Sequence, residues 1–268
     1  MDVAMDVLIV GNHGETRLWE PKVPVDHRVT LRRAATLAEA NAAAENCPPE
    51  LVFLLESRPG EYHAGEVQHL RRAAPLARIW HVQGPWCDGQ GRSGPQTPGA
   101  IRCYWHQWPS RFAAELARLE RGQTPAWAQP ATMTDEDRLL AEPAHPTSLQ
   151  TALIMIDSPS YETAAALGES CQAAGYAWVW SGAGPATPLA GAGVVLWDAS
   201  TDELGQPPSH RRLRQRYGDT PVIALVDFPR PSAVRQAYDA GIAAVIANPF
   251  HHGDLLAALE RACTARTA

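Results

Sequence analysis

Gly193-Val194-Val195-Leu196-Trp197-Asp198-Ala199-Ser200 is the stretch whose reading decides the fold. Its apolar run carries no polar residue until Asp198, the pattern of a strand buried on both faces and ending in an acid. Such strands belong to parallel sheets with helices above and below. In open sheets of that kind, ligands and chemistry collect outside the carboxyl ends of the strands, where Asp198 stands. An upstream stretch, Leu51-Val52-Phe53-Leu54-Leu55-Glu56-Ser57, repeats the pattern and points to a fold built twice.

Outward from Asp198, residues 152–156 (Ala-Leu-Ile-Met-Ile) form a buried strand ending at Asp157. Ser158-Pro159-Ser160 supplies turn and cap chemistry, and 161–174 carries helical spacing closed by Gly175. A short strand over 176–180 and a Gly- and Pro-rich loop over 182–191 lead back to 194–197. An Arg-rich, exposed helix over 207–217 ends at Gly218. A buried run over 221–225, a helix over 231–240 stopping at Gly241, a strand over 243–246 and an amphipathic helix over 253–262 complete this half. Strands alternating with helices of about ten to fifteen residues predict a parallel sheet with right-handed crossovers. Five such units fit the flavodoxin-like strand order 2-1-3-4-5.

Pro221-Val-Ile-Ala-Leu-Val-Asp-Phe-Pro-Arg-Pro, Ala240-Gly241, Ala247-Asn248-Pro249-Phe250 and the run 255–261 together resemble the carboxyl-terminal part of a receiver domain of two-component response regulators. The resemblance covers roughly residues 149–263. It implies that Asp198 stands at the phosphoacceptor position and Asp157 at a metal-binding acid. The departures matter equally. Asn248 replaces the family's lysine, and Lys22 is the chain's single lysine, so no other in this half stands in for it. Val226 replaces the switch hydroxyl, with Asp227 beside it, and the acidic pair is reduced to Ile156-Asp157.

An aspartyl phosphate forms when a carboxylate attacks a phosphoryl group whose oxygens are neutralised by Mg²⁺ and a cation. Asp157 and Asp198 with waters make a thin Mg²⁺ set, with Asp227 as a third acid. Without the ammonium and the hydroxyl, the phosphorylated state loses the contacts that hold it.

In the first half, 6–12 lies over 151–157 without a gap and puts Asn12 where Asp157 stands. Strands follow over 28–31, 51–55, 77–82 and 101–105. Helices follow over 36–46, with Thr36 as N-cap, over 63–74 and over 109–122. Glu56 falls at the place of Asp198 and Trp108 at that of Asn248, so this half also resembles a receiver, more distantly. Glu56 reads either as an exposed strand-end acid or as a mimic of a phosphorylated aspartate.

An insertion over 83–100 replaces the expected fourth helix. Structureless segments of that length inside a domain carry function or move. Trp80, His81, Trp86, Cys87, Cys103, Tyr104, Trp105, His106 and Trp108 gather around it, and Trp86, Trp105 and Trp108 are expected to anchor a partner. A Zn²⁺ set from Cys103, His106, Cys87 and His81 competes, but residues at odd spacing on a strand face opposite ways. The glycines of 84–99 lack the ending of a phosphate loop, and His251-His252 at a helix start reads as solvent-facing.

The chain of 268 residues, 45% hydrophobic and 19% charged, is core-forming. A net charge of −6 without a basic block speaks against nucleic acid and anionic membranes as partners. Five scattered cysteines and no leader or membrane stretch predict a cytoplasmic protein with reduced thiols. The expected organisation is a degenerate receiver-like domain over 1–122, a Pro-rich linker over 123–149 able to pack along one domain, and a receiver-like domain over 150–268. The expected function is a non-enzymatic signalling or scaffold protein of two pseudo-receivers. It would act through protein partners, including a histidine kinase or another regulator, and as a homodimer through the surface of helix four, strand five and helix five. Two alternatives stay open: a receiver phosphorylated on Asp198 with Mg²⁺, and a small-molecule protein or enzyme using the first half's strand-end crevice.

Overall fold

Every residue of Leu51–Glu56 is buried, and so are seven of the eight residues of Ala192–Ala199. Strands with that pattern need cover on both faces, and each sits at the centre of its own parallel sheet. The computed structural model describes residues 5–16, 29–87, 89, 97, 99–130, 132, 133, 137, 150–182, 191–248, 250 and 252–267. Lys22, most of the 88–98 loop, the loop 183–190, Pro249, His251 and, of the expected linker, 131, 134–136 and 138–149 lie outside them. The chain divides into two units, Met1–Glu142 and Pro143–Ala268.

In the first unit, β1 (Met5–Val10) is followed by the single turn α1 (His13–Thr16). Then come β2 (Val29–Ala34), α2 (Leu37–Asn46), β3 (Leu51–Glu56), α3 (Ala64–Ala73), β4 (Arg78–Gln83), β5 (Ile101–Tyr104) and α4 (Trp108–Glu120). The strands are parallel in the order β2-β1-β3-β4-β5. Thr36 caps α2 as its sequence predicts, accepting the Glu39 N–H. One layer packs Leu8, Val10, Val52, Leu54 and Ile79 against Leu37, Ala40, Val67 and Leu70 of α2 and α3. The opposite layer is aromatic: Phe53 meets Trp108 at 4.6 Å and Phe112 at 5.0 Å on α4. Half-buried Trp127 joins Trp80 and Phe112, so the expected linker packs an aromatic ring on this unit's core.

In the second unit, β6 (Leu153–Asp157), α5 (Tyr161–Ala173), β7 (Ala177–Ser181) and β8 (Ala192–Ala199) precede a turn not expected from sequence, α6 (Thr201–Leu204). Then follow α7 (Pro207–Tyr217), β9 (Val222–Asp227), α8 (Pro231–Asp239), β10 (Ala244–Asn248) and α9 (His252–Thr267). Read from β7, the order is β7-β6-β8-β9-β10, again all parallel. Both units therefore carry the flavodoxin-like order 2-1-3-4-5. Ser160 caps α5, and Gly175 and Gly241 leave α5 and α8 in the left-handed region that glycine enters without strain.

The layers of this unit decide where its acids point. Ile154, Ile156, Val194, Leu196 and Leu225 pack against α5 and α9. The alternate residues face α6, α7 and α8. Among the described residues, no helix is long and apolar enough to cross a membrane.

Gly168 of α5 lies against β7, and a Cβ there would meet Trp178 ring carbons at 2.2 Å. Gly168→Ala gains about 1 kcal/mol of helix propensity, but the overpacking costs about 1–3 kcal/mol. The expected result is a lower urea midpoint, and Trp178→Leu in the same chain reverses it.

Candidate functional site

Asp198 lies two residues beyond Leu196 on β8 and so shares the α5/α9 layer. There it accepts the Ser158 hydroxyl proton at 2.7 Å. Ser158, almost fully buried, also takes the Ser160 N–H on its Oγ and the Trp180 indole N–H on its carbonyl at 3.0 Å. The first hydroxyl after β6 is thus built into a turn and spent on the acid.

Asp157 does not join this arrangement. It is level with Trp197, not Asp198, so its carboxylate faces the α6–α8 layer. Arg216 of α7 approaches it at 3.6 Å and also donates to Ser181 Oγ at 2.7 Å and to the Gly182 carbonyl. Burial, followed by the Asp157 charge, pushes the neighbouring Tyr217 hydroxyl up to about 12, so it stays protonated. The helix expected to be exposed therefore turns one arginine inward. The i, i+4 pair Leu213 and Tyr217 marks that buried stripe, and Arg216 borders it.

This register bears on the Asp157–Asp198 pair named as a possible Mg²⁺ site. The two carboxylates occupy opposite faces, one is bound to a guanidinium, and Asp198 keeps a single hydroxyl partner among the described residues. On the face of Asp198 the other strand-end acid is the exposed Asp227, two residues beyond Leu225. Among the described residues no group of three His, Cys, Asp or Glu could hold a metal ion, so the residues present do not fit the hard-oxygen set Mg²⁺ needs. Val226 is fully buried on the far face, level with Ala199. Asp227 is exposed beside half-buried Asn248. The exposed Phe228 that follows is the one described non-glycine residue with a positive φ, 46°.

The first unit's acid is not the counterpart of Asp198. Glu56 follows Leu54 into the α2/α3 layer, opposite α4, whereas Asp198 faces α9, the last helix of its own unit. Nor is it exposed. Glu56 is 3% accessible and meets His81 Nε2 at 3.0 Å, while the Gly60 N–H donates to its other oxygen at 2.8 Å. Burial raises the Glu56 carboxyl, but His81, the Gly60 amide and Gln83 outweigh it and hold the group below its ordinary value. His81 Nδ1 lies 3.2 Å from Thr97 Oγ1, tying the end of the 83–100 insertion to the network.

Trp105 and Trp108, expected as partner anchors, are 4% and 1% accessible. Both are core residues, Trp108 because α4 begins directly on the aromatic layer around Phe53. Trp86, at 77%, is exposed. The zinc set does not assemble: His81 is engaged by Glu56 and Thr97, Cys87 Sγ by the Glu56 carbonyl and Cys103 Sγ by the Tyr104 carbonyl. Burial and the Arg111 charge lower His106 to about 3. Among the described residues, no group of three His, Cys, Asp or Glu could hold a metal ion.

Each unit is thus a three-layer α/β domain of the flavodoxin-like class. No family model matches the chain, and no curated protein does. Among solved structures it is similar to a response regulator from Thermotoga maritima, at 19% identity over 43% of this chain and 99% of that one, TM-score 0.35. A CheY-like response regulator from Mesorhizobium loti gives 20% over 42% and 99%, TM-score 0.35. The E. coli RcsC carboxyl terminus, with its linker and phosphoreceiver domain, gives 13% over 100% and 97%, TM-score 0.30. At such scores the fold rests on strand order and register.

Leaving a buried polar group without its partner costs about 1–3 kcal/mol. His81→Ala strips the buried Glu56 carboxylate of its ring neighbour and is expected to lower stability by that order, whereas the double variant Glu56→Leu/His81→Leu loses less. The Glu56 carboxyl is lowered in the fold, so its stabilisation is complete above its ordinary value of 4.5 and lost as pH falls through the lowered value. Urea melts of wild type and Glu56→Gln should differ most near neutrality and converge in acid.

Proposed function

We propose that this chain is a non-catalytic signalling or scaffold protein made of two pseudo-receiver units and acting through protein–protein contacts. One observation carries the reading: the strand-end acids are already engaged by the chain itself, Asp198 by Ser158, Asp157 by Arg216 and Glu56 by His81. Phosphoryl transfer to a carboxylate needs a metal and a cation gathered on the acceptor's own side of the sheet. Here Arg216, the inward-turned arginine of α7, sits on the other side, and Asn248 offers no charge.

The 2-1-3-4-5 order supports a receiver-like signalling role without supplying receiver chemistry. Glu56 supports the same reading differently. It is a permanent carboxylate whose position is set by His81, Gly60 and Gln83, and nothing in that network requires a phosphoryl group to hold it.

The test is direct. The full chain incubated with acetyl phosphate and Mg²⁺ should show no mass gain, and beryllofluoride with Mg²⁺ should leave its melting temperature unchanged. A mass gain or stabilisation that disappears in Asp198→Ala would replace this reading with a phosphorylated receiver.

A further inference from the structure

The second unit's strand ends bear an unusual pairing of groups on the layer that holds Asp198. Trp180 is level with Ile156 on the sheet, so its ring lies on the same side as Ser158 and Asp198. Ser158 binds both: its carbonyl takes the indole N–H at 3.0 Å and its hydroxyl meets the carboxylate at 2.7 Å. Trp180 nevertheless remains 40% accessible. Tyr161, at the first turn of α5 and 55% accessible, packs edge-on to it, with ring centroids 5.2 Å apart at 68°. Large aromatic rings held rigidly and left in water are costly to leave uncovered.

Among the described residues, Asp198 and Glu162 place negative charge beside these rings. Asp198 is half-buried, and among the described residues no cation reaches it. Glu162 follows Tyr161 and is fully exposed, its carboxyl lowered by hydrogen bonding to its own backbone and to Ser160. Arg216, which donates to Ser181 and Gly182 just beyond Trp180, is committed to Asp157 on the opposite face. A phosphate-bearing ligand is repelled here, and a neutral apolar one would desolvate the Asp198 carboxylate with Ser158 as its one described partner.

We propose that this surface receives an arginine side chain from a protein partner, its guanidinium stacked on Trp180, flanked by Tyr161 edge-on, and paired with Asp198. Arginine suits it better than lysine. The planar guanidinium stacks on an indole face and presents a fork of donors to a carboxylate, whereas an ammonium is a strongly hydrated point charge. The inference rests on the reading of the second unit as a contact module. It adds that the cation missing from the pocket is supplied in trans.

The probe is the blocked peptide acetyl-Gly-Arg-Gly-Arg-Gly-amide, titrated into the full-length protein and followed by the Trp180 indole N–H resonance and by calorimetry. Saturable binding is expected, weaker for the matching Lys peptide. Asp198→Asn and Tyr161→Ala should each weaken it about tenfold, the equivalent of ~1.4 kcal/mol. Both variants keep buried packing intact, so unchanged unfolding midpoints verify that loss of binding is local. No saturable shift, or binding indifferent to Asp198→Asn, overturns the inference. Equal affinity for arginine amide would make the ligand a small molecule and overturn the protein partner. A self-associated form that the peptide dissociates would name a second copy of this chain and overturn a foreign one. The same samples are weighed after acetyl phosphate treatment. An adduct on Asp198 defeats the pseudo-receiver reading, whereas lost peptide binding without an adduct defeats only the trans arginine.

Discussion

In a parallel sheet covered on both faces, successive side chains go to opposite layers, and polar groups can be afforded only where the strands end. Everything distinctive about this chain follows from that alternation. A carboxylate's neighbours are chosen by the parity of its position on the strand, and a difference of one residue sends it to another set of helices. Asp157 and Asp198 close adjacent strands, yet they answer to different layers: one to α7 and Arg216, the other to α5 and Ser158.

The same parity separates the two units from each other. Their strand order is shared, and their closing helices α4 and α9 occupy corresponding places in the chain. Glu56 nevertheless turns away from α4 while Asp198 turns toward α9. Buried acids in this situation must be hydrogen-bonded or neutralised, since an unpaired buried charge is prohibitive. The first unit solves this with an imidazole and a backbone amide, the second with a hydroxyl on one face and a guanidinium on the other. These solutions leave no shared electrostatic centre.

The sequence revealed the sheets well. Uninterrupted apolar runs marked β3 and β8, Thr36 and Ser160 marked helix starts, and Gly175 and Gly241 marked stops, all through short-range physics. What it concealed was cross-strand register. The level pairing of Asp157 with Trp197 depends on contacts between segments about forty residues apart, and no local pattern reports it. Trp105 and Trp108 looked like surface anchors because they border a Gly-rich insertion, but both are buried, Trp108 against Phe53 on a distant strand. Arg216 was hidden among exposed arginines, although Leu213 and Tyr217 outline the stripe beside it. His81 was legible as a metal candidate, but only the pairing of β3 with β4 makes it the partner of Glu56.

The central claim is that the acids at the second sheet's carboxyl end are divided between two faces and do not form a joint cation cage. Paramagnetic Mn²⁺, a divalent ion with the same taste for hard oxygens as Mg²⁺, tests this most directly. Titrated into isotopically labelled protein and read through backbone amide broadening, it should produce no saturable effect centred on Asp157, Ser158 and Asp198. Saturable broadening focused on those three residues together would show that the two carboxylates converge on one ion and would contradict the account.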